Sequence, residues 1–533
     1  MSDLAVGFTP WPSELAARYR EAGYWRGETL GELLRTWAAS HRDALAVVDG
    51  ELRLSYAELD KRVDERAAGL VALGIGAGDR LVLQLPNTAE LVVLTFALAR
   101  IGAVPVMALP AHRRTEIEHL AALSEAVGYV VADSFQGFDH RTLAAEIVEL
   151  VPGIEHVLVD GDPGPFTALG SVTAPAAAET PFVDPAGIAV LLISGGTTGK
   201  PKLIPRTHDD YALNARASAE VCALTADDRY LVALPAAHNF PLACPGILGV
   251  LGVGGTVVMC PAPSPDVALP LIERERITVT ALVPPLARLW AEAAPYAGAD
   301  LSSLRLLQVG GAKLDAALAR RIPDALGAQV QQVFGMAEGL LNYTRLDDPA
   351  EIVEISQGRP LCADDEIRVV DPDGNDVEVG ELLTRGPYTL QGYYRVPEYN
   401  ATAFTPDGWY RSGDVVRVLP SGHLVVEGRV KDVINRGGEN VSAGELEEYL
   451  LVHPAVAAAA VVGLPDETLG EIVCAVVVPG PDGPPKLKAL KAFLGEQGLA
   501  RFKHPDRLVI VDELPLTAVG KISKRDVVER LST

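Results

Sequence analysis

The sequence predicts an α/β protein with a large N-terminal region of α/β subdomains, a small β-rich subdomain and a small α+β domain at the C-terminal end. Short runs rich in Val, Ile and Leu alternate with segments of helical periodicity up to about residue 357. Gly, Pro and Asp then become frequent until about residue 430, after which mixed helix and strand patterns return. Alternating apolar runs and helical segments are typical of a mostly parallel sheet covered by helices.

The first β-α-β unit lies near the start of the large region. RLVLQL, beginning at Arg80, and AVPVMAL, ending at Leu109, are short apolar runs, and the segment between them opens with Pro86-Asn87-Thr88 and has helical periodicity. One helix between two apolar runs predicts parallel neighbouring strands. Further strands are expected at residues 129–131, 156–159, 188–193, 230–234, 256–259, 278–283 and 304–309.

The β-rich subdomain is expected over residues 357–430. DPDGND (371–376) and PSGH (420–423) are hairpin signals within it, so we expect short antiparallel strands. With this subdomain included, the N-terminal core is predicted to span residues 1–430.

The C-terminal domain is expected over residues 431–533, with a helix in SAGELEEYLLVH and a strand in AAAAVVGL. Its final part, residues 481–533, has ten Lys and Arg against seven Asp and Glu, although the whole chain is strongly acidic. This asymmetry is compatible with a mobile basic lid over a phosphate substrate, a docking face for an acidic partner or an ordinary solvated surface.

The overall composition excludes some classes of protein. The 533-residue chain has 46 Lys and Arg against 70 Asp and Glu, a formal net charge of −24, which argues against a partner recognised through nucleic-acid phosphates. Its five cysteines show no C-x-x-C pair and no zinc-ligand spacing, which favours reduced thiols in a cytosolic enzyme. The N-terminal segment lacks the basic start and apolar run of a secretory signal, so a cytoplasmic location is expected.

One uncharged stretch, residues 239–264, is long enough to be tested as a membrane span. Four prolines and the Gly254-Gly255 pair interrupt it, and such residues break a spanning helix. We interpret the stretch as a buried helix, a glycine turn and a buried strand at Thr256–Cys260.

The most informative segment follows a predicted buried strand. It contains Ser194, Gly195, Gly196, Thr197, Thr198, Gly199 and Lys200. Glycines let backbone N–H groups approach phosphate oxygens, hydroxyls add donors, and the lysine offsets the negative charge. The segment is not a Walker A motif, which needs Gly at Ser194 and Ser or Thr at Pro201. It therefore predicts a phosphate-binding loop of another type.

Taken with its neighbours, this loop resembles a signature of the adenylate-forming superfamily. Five more signatures of that superfamily occur in order: QVGGAKL (308–314), QVFGMAEG (332–339), GWYRSGD (408–414), GRVKDVINRGGENVS (428–442) and LPLTAVGKISK (514–524). Within the superfamily the chain most resembles the stand-alone aryl acid AMP ligases, which activate salicylate or 2,3-dihydroxybenzoate for siderophores and related nonribosomal peptides. The likeness covers almost the whole chain.

The resemblance implies a two-step reaction. An aryl carboxylate attacks the α-phosphorus of ATP, bound with Mg²⁺, to give an acyl adenylate and pyrophosphate. A phosphopantetheine thiol of an aryl carrier protein then takes the acyl group as a thioester. Such chemistry depends mostly on positioning and on charge stabilisation.

The resemblance also implies residue roles. Lys521 would stabilise the charge between carboxylate and phosphate, Glu338 would bind Mg²⁺, and Asp414, with Arg429 nearby, would accept hydrogen bonds from the ribose. Lys431 would be the hinge about which the C-terminal domain rotates. The remaining expected ATP contacts are the loop residues from Ser194 to Lys200, with Gly310, Gly311, Ala312, Val333, Phe334 and Gly335.

By the same resemblance, the acid pocket is expected around His238-Asn239-Phe240. Asn239 would donate a hydrogen bond to the acid, Phe240 would form an apolar wall, and His238, counted among the catalytic residues, would lie at the pocket edge. The other expected pocket residues are Cys244, Gly311, Val333, Ala337 and Leu341.

Two of these positions favour salicylate. Relatives that use 2,3-dihydroxybenzoate have Ser where this chain has Cys244 and Val where it has Leu341. A thiol is a weak hydrogen-bonding group, and a buried unpaired hydroxyl costs about 1–3 kcal/mol, so a ring without a 3-hydroxyl is favoured.

Several alternatives stay open at this stage. The acid could be 2,3-dihydroxybenzoate, a substituted salicylate or anthranilate, and the acceptor could be coenzyme A. The sequence shows no recognisable carrier segment, so a separate carrier protein is expected. A more distant alternative is a nucleotide-binding sensor of aryl acids without turnover, which retention of Lys521, Glu338 and Asp414 argues against.

Overall fold

The computed structural model describes residues 7–176, 181–194, 201–436, 439–466, 469–497, 499, 501–517 and 520–532. The described residues form two compact units. The larger unit contains the chain up to Glu366 together with Arg385–Tyr410, and the smaller unit contains Ile367–Thr384 and the chain from Arg411 onward.

Capping side chains satisfy the first N–H groups of several helices; Thr29, Ser55 and Thr207 each form a capping box with the acidic residue three positions later. In chain order they are α1 (Ser13–Glu21), α2 (Leu30–Ser40), α3 (Tyr56–Ala72), α4 (Ala89–Ile101), α5 (Arg114–Ser124), α6 (His140–Leu150), α7 (His208–Val221), α8 (Asn239–Ala243), α9 (Gly246–Gly252), α10 (Pro265–Glu275), α11 (Pro284–Ala297), α12 (Ala316–Leu326), α13 (Ala350–Ile355), α14 (Pro397–Ala403), α15 (Ala443–Leu451), α16 (Leu487–Glu496) and α17 (Lys524–Ser532).

The strands are mostly short and rich in β-branched residues. They are β1 (Leu45–Asp49), β2 (Leu52–Ser55), β3 (Arg80–Gln84), β4 (Val104–Met107), β5 (Gly128–Ala132), β6 (Ser134–Phe135), β7 (Phe138–Asp139), β8 (His156–Asp160), β9 (Thr167–Ala168), β10 (Ile188–Ile193), β11 (Leu203–Thr207), β12 (Arg229–Val232), β13 (Thr256–Met259), β14 (Val279–Leu282), β15 (Leu306–Gly310), β16 (Gln329–Met336), β17 (Gly339–Tyr343), β18 (Arg359–Pro360), β19 (Glu366–Val370), β20 (Val379–Arg385), β21 (Tyr410–Val418), β22 (Leu424–Arg429), β23 (Val433–Arg436), β24 (Glu439–Ser442), β25 (Val456–Asp466), β26 (Gly470–Pro479) and β27 (Arg507–Ile510).

The larger unit is built on two sheets. In the described part of the chain, one has nine strands in the order β18-β17-β16-β15-β14-β12-β13-β1-β2 and the other has seven in the order β11-β10-β4-β3-β5-β8-β9. The central pairs of both are parallel, whereas β1–β2, β16–β17, β17–β18 and β10–β11 are antiparallel. Helices cover the sheets, and Trp290 of α11, which is fully buried, packs in the core beside the nine-stranded sheet.

The smaller unit has an antiparallel sheet, β19-β20-β21-β22, and a mixed sheet in which β27 pairs with β26 beside β24-β23-β26-β25. Helices α15 and α16 bury Leu446, Leu450, Leu490 and Leu494 against the mixed sheet. Val527 of α17 packs in a second cluster with Val462 and Cys474. Each hydrophobic face of the mixed sheet is therefore covered by helix.

The α/β fold class is confirmed. The predicted β-α-β unit is β3, α4 and β4, with β3 and β4 paired in parallel. The two hairpin signals lie between β19 and β20 and between β21 and β22. The uncharged stretch folds as α8, α9 and β13, and within the described residues no helix is long and apolar enough to cross a membrane.

Candidate active site

The phosphate-loop segment lies between two antiparallel strands. β10 ends at Ile193, β11 begins at Leu203, and the strands pair from Ile193 with Leu203. Beyond this pair, the Ser194 N–H donates to the Lys202 carbonyl at 2.9 Å, and the Lys202 N–H donates to Ser194 Oγ at 3.0 Å. These bonds close the base of the segment. The predicted residues Gly195, Gly196, Thr197, Thr198, Gly199 and Lys200 lie outside the described residues.

Lys202 brings a positive charge close to Glu338. Its Nζ lies 3.8 Å from the centroid of the Tyr399 ring and 5.9 Å from that of Tyr393. Partial burial lowers the pKa of Lys202, and the negative charge of Glu338 opposes that shift. The ammonium therefore lies on aromatic faces, a cation–π arrangement, within the electrostatic reach of the proposed metal ligand.

Glu338 itself lies in the turn between β16 and β17. Its Oε1 accepts a hydrogen bond from the Tyr393 hydroxyl at 2.8 Å, and its backbone carbonyl accepts from the Leu390 N–H at 2.8 Å. The Tyr393 and Tyr410 hydroxyls are 2.9 Å apart. The carboxylate is half-buried and is held by a neutral donor, so its oxygens suit a hard cation such as Mg²⁺.

The glycines of QVGGAKL leave room for an aromatic ring. Gly310 ends β15, and a Cβ atom there would lie 3.1 Å from Cε1 and Cζ of Phe240 and 2.7 Å from the Val333 carbonyl oxygen. Gly311 has φ of +82°, which favours glycine, and it is exposed beside Ala312. The chain can therefore turn at this point while the Phe240 ring lies against its backbone.

The acid-pocket motif forms a short helix. His238 caps α8, because its Nδ1 accepts a hydrogen bond from the Phe240 N–H at 3.2 Å. Because Nδ1 of His238 accepts this bond, a neutral His238 ring carries its proton on Nε2. Asn239 and Phe240 are buried in the first turn of α8.

Cys244 follows directly after α8. Its Sγ lies 3.4 Å from Nδ2 of Asn239, and the residue is almost fully buried. Burial raises the pKa of the Cys244 thiol to about 12. The Cys244 side chain is therefore a neutral thiol rather than a nucleophile.

Leu341 and Gly335 face each other across the β16–β17 pair. They are register partners, as are Val333 and Tyr343, and a Cβ atom at Gly335 would overlap Cδ2 of Leu341. The Leu341 side chain thus occupies the space above Gly335. Val333 is buried, and Phe334 and Ala337 are half-buried.

The structure adds a group of polar residues that the sequence did not indicate. Arg206, Tyr211 and Asn214 are fully buried and contact Ala337, Asn239 and Ala243, respectively. Tyr211 and Asn214 are three residues apart on α7, on one face of the helix. This spacing is the feature of the sequence that could have pointed to these residues. In a sequence alone, however, it looks the same as the polar, solvent-exposed face of an ordinary helix.

Four predicted residues belong to the smaller unit. Arg429 Nε lies 2.8 Å from Oδ1 of Asp414, and these residues are register partners on β21 and β22. Asp414 is buried, whereas Arg429 is partly exposed. Lys521 is exposed, and its loop is closed by a hydrogen bond from the Thr517 N–H to the Lys521 carbonyl. The backbone of Lys431 lies in the turn Val430–Asp432.

Comparison with known proteins gives a consistent result over the whole chain. A family model described as AMP-binding enzyme matches residues 34–394, and one described as AMP-binding enzyme C-terminal domain matches residues 445–521. A salicyl-AMP ligase / salicyl-S-ArCP synthetase of Mycobacterium tuberculosis is 55% identical, covering 98% of this chain and 94% of its own length. A 2,3-dihydroxybenzoate-AMP ligase of Bacillus subtilis is 53% identical, with 99% and 98% covered. The apo structure of MbtA from Mycobacterium smegmatis is 55% identical, covers 99% of this chain and all of its own, and has a TM-score of 0.79.

Proposed function

Because this chain belongs to the AMP-binding enzyme family, we propose that it activates salicylate as the acyl adenylate and transfers the acyl group to the phosphopantetheine thiol of an aryl carrier protein. Relatives of about the same length and more than half identical are aryl acid AMP ligases, so the chain is an adenylating enzyme that uses ATP and an aryl acid. Its product would enter siderophore or related nonribosomal peptide synthesis.

The observation that carries the choice of salicylate is the neutral thiol of Cys244 beside Asn239. Asn239 Nδ2 can donate to the acid, whereas Cys244 offers only a weak partner to a hydroxyl at the next ring position. Leu341 fills space above Gly335 that a shorter side chain would leave open. Both features favour hydrogen at ring carbon 3. The preference should be modest, because an apolar pocket rejects an added hydroxyl weakly.

The charged residues have roles in adenylation. Lys521 would neutralise the charge that develops between the attacking carboxylate and the α-phosphate, and the residue is exposed at the surface of the smaller unit. Asp414 would accept hydrogen bonds from the ribose hydroxyls, with Arg429 holding its carboxylate. Lys431 would be the hinge residue between the two half-reactions.

Glu338 would hold Mg²⁺ together with phosphate oxygens of ATP. One protein carboxylate plus substrate phosphates is a common way to bind this ion. When bound, Mg²⁺ neutralises phosphate charge. Tyr393 keeps the Glu338 carboxylate in place through its hydroxyl, and Lys202 adds a positive charge on the same side.

The decisive experiment is ATP–pyrophosphate exchange driven by salicylate, 2,3-dihydroxybenzoate, anthranilate or benzoate, with a control lacking acid. We expect the fastest exchange with salicylate. Exchange led by 2,3-dihydroxybenzoate would overturn the specificity assignment but keep the enzyme class, whereas no exchange with any acid would contradict the proposed function.

The acceptor is tested separately. Purified chain, ATP and salicylate are mixed either with a phosphopantetheinylated aryl carrier protein or with coenzyme A, and thioester formation is followed by mass spectrometry. We expect the carrier protein to be loaded much faster than coenzyme A. Faster formation of the coenzyme A thioester would identify the chain as an aryl-CoA ligase.

A further inference from the structure

Behind the acid-pocket helix lies a buried polar network that the proposed reaction does not itself require. Its members on α7 are Tyr211, Asn214 and Ser218, all fully buried. Tyr211 contacts Asn239, Asn214 contacts Ala243, and Ser218 accepts a hydrogen bond from Tyr343 at 2.9 Å. A buried polar side chain is held in one orientation when each of its polar atoms has a hydrogen-bond partner. The donor and acceptor of each bond in this network therefore show which orientations it fixes.

The orientation of the Asn214 amide is fixed by two partners, one of which can only accept a hydrogen bond and the other only donate one. Its Nδ2 donates to the Ala243 carbonyl at 2.7 Å, and its Oδ1 accepts from Nη2 of Arg206 at 3.3 Å. A carbonyl can only accept and a guanidinium can only donate. Arg206 is held in turn by Asp210 Oδ1 at 2.8 Å and donates to the Ala337 carbonyl at 3.0 Å. This part of the network is therefore a rigid support for the helix that carries Asn239.

Tyr211 lies on the same support. Its ring centroid is 4.9 Å from the guanidinium carbon of Arg206, and its hydroxyl donates to Oδ1 of Asn239 at 2.9 Å. If the Asn239 amide were reversed, the single Tyr211 proton would face another donor in a site that water does not reach. Leaving a buried donor unpaired is costly. The Tyr211 hydroxyl therefore keeps the carbonyl of Asn239 turned toward α7 and its NH₂ group turned toward Cys244.

We propose that Tyr211 is a specificity-determining positioning residue: by holding the Asn239 amide with its NH₂ group toward the pocket, it selects aryl acids whose ortho substituent presents a hydrogen-bond acceptor. This inference rests on the proposed function, because it assumes that Asn239 meets the ortho substituent of the acid. It predicts discrimination between two acids of nearly the same size, 2-hydroxybenzoate and 2-aminobenzoate.

The two acids differ in what they present outward. The phenol of salicylate donates its one proton to the neighbouring carboxylate, so an oxygen lone pair faces the pocket. The amine of anthranilate donates one N–H to the carboxylate and directs its second N–H outward, while its lone pair is delocalised into the ring. A fixed Asn239 NH₂ group thus pairs with salicylate and opposes anthranilate.

The first test uses the unaltered chain. In acid-dependent ATP–pyrophosphate exchange, kcat/KM should be highest for salicylate, lower for benzoate and lowest for anthranilate. The outward N–H of anthranilate would meet the NH₂ group of Asn239, donor against donor, whereas benzoate has only a hydrogen atom at this ring position. Anthranilate used better than benzoate would overturn the proposal without the need for any variant.

The second test compares Tyr211→Phe with Tyr56→Phe. Phenylalanine keeps the ring beside Arg206 but removes the hydroxyl, which frees the Asn239 amide to reverse. We expect the salicylate-to-anthranilate ratio of kcat/KM to fall about 5- to 150-fold, the range for one buried unpaired group, with benzoate little changed. Tyr56 is the matched control, because it is also fully buried and its hydroxyl bonds to the Leu251 and Gly255 carbonyls, away from the pocket.

The outcomes separate this inference from the proposed function. If the unaltered chain uses salicylate and the ratio is the same in Tyr211→Phe as in Tyr56→Phe, the role of Tyr211 is refuted while the enzyme class stands. If no acid supports exchange in the unaltered chain, the proposed function fails, and the inference fails with it.

Discussion

Cys244 is the residue at which the pocket and its buried support meet. Nδ2 of Asn239 and Nδ2 of Asn214 lie 3.4 Å and 3.8 Å from its sulfur. Two amide donors therefore face one weak acceptor. A stronger acceptor at this position would be better paired inside the protein and could also bond to a hydroxyl of the substrate.

The first prediction concerns this residue. Cys244→Ser should raise the kcat/KM ratio of 2,3-dihydroxybenzoate to salicylate by about 5- to 150-fold, because a serine hydroxyl can pair with the 3-hydroxyl of the ring. Pyrophosphate exchange with each acid measures the ratio.

Cys260→Ser is the control for Cys244→Ser. Cys260 is also buried, and its Sγ contacts the Ala262 carbonyl at 2.9 Å instead of the pocket, so the acid ratio should not change. An equal ratio in both variants would mean that residue 244 does not set the preference.

At the scale of single residues, motifs in the sequence led to the candidate pocket residues, whereas residues that act only through long-range contacts were not predicted. Phe240 and Gly310 were both predicted, and the structure packs them together. Tyr211 was not predicted, because a tyrosine four residues after a helix cap has no motif, and its value lies in a bond to Asn239, 28 residues away.

At the scale of elements, the strands that the apolar runs predicted match the observed ones to within two residues at each end, since buried parallel strands are nearly continuous hydrophobic segments. The antiparallel pairing of β10 with β11 was not predicted, and neither was the division of the strands into two sheets. Strand pairing is decided by long-range contacts, which local patterns do not contain. Helix α7 was also missed as a buried element, because its polar residues find partners only in the folded chain.

Strand β17 is anchored by a buried carboxyl in the loop before β19. The Tyr388 hydroxyl accepts a hydrogen bond from the Leu341 N–H at 3.2 Å and donates to Oδ2 of Asp365 at 2.6 Å. Asp365 Oδ2 also accepts from the Cys362 N–H at 2.8 Å. Within the described residues, Oδ1 of Asp365 is buried without a hydrogen-bond partner. The backbone of Leu341, a predicted pocket residue, is thus linked through Tyr388 to this carboxyl.

The second prediction concerns the charge state of Asp365. Burial raises the pKa of Asp365 to about 7, while in the unfolded chain it is near its ordinary value of 3.8. Between these values the folded state binds the extra proton, so Asp365 makes the protein progressively less stable as the pH rises from 3.8 to about 7, and above that range the loss of stability is complete and constant. The variant Asp365→Asn carries a neutral amide that resembles the protonated acid, so its stability should not fall with this ionisation as the pH rises.

Thermal unfolding at pH 5 and at pH 8 measures the effect. The Tm of the variant relative to the unaltered chain should be higher at pH 8 than at pH 5. Because the comparison uses the difference in Tm between the two proteins at each pH, the contributions of the other titrating groups cancel. A difference independent of pH would show that Asp365 does not change its charge in this range.

At the scale of the whole molecule, the proposed chemistry divides between two units. The larger unit carries the acid-pocket residues and Glu338, whereas the smaller unit carries Asp414 and Lys521. Because Lys521 is exposed and outside the cores of the smaller unit, its removal should affect chemistry without affecting folding.

The third prediction is that Lys521→Ala lowers the rate of pyrophosphate exchange at least about 100-fold, the usual effect of losing one charge-stabilising group. Thioester formation from a supplied salicyl adenylate should change much less, and the Tm should stay within the error of the measurement. Lys488→Ala, at another exposed lysine of the same unit, should leave both half-reactions unchanged. Equal losses in the two half-reactions would contradict a role confined to adenylation.

The burial of all five cysteines has a chemical consequence for an enzyme that makes an activated acyl group. Mixed anhydrides acylate thiolates readily, and a carrier thiol must compete for the acyl group with every thiolate in reach. At neutral pH a thiol with a pKa of about 12, as burial gives Cys244, is ionised in only about one molecule in 10⁵. Cys244, which the proposed pocket would place beside the acyl group, would thus stay unreactive towards the acyl adenylate until the acceptor thiol arrives.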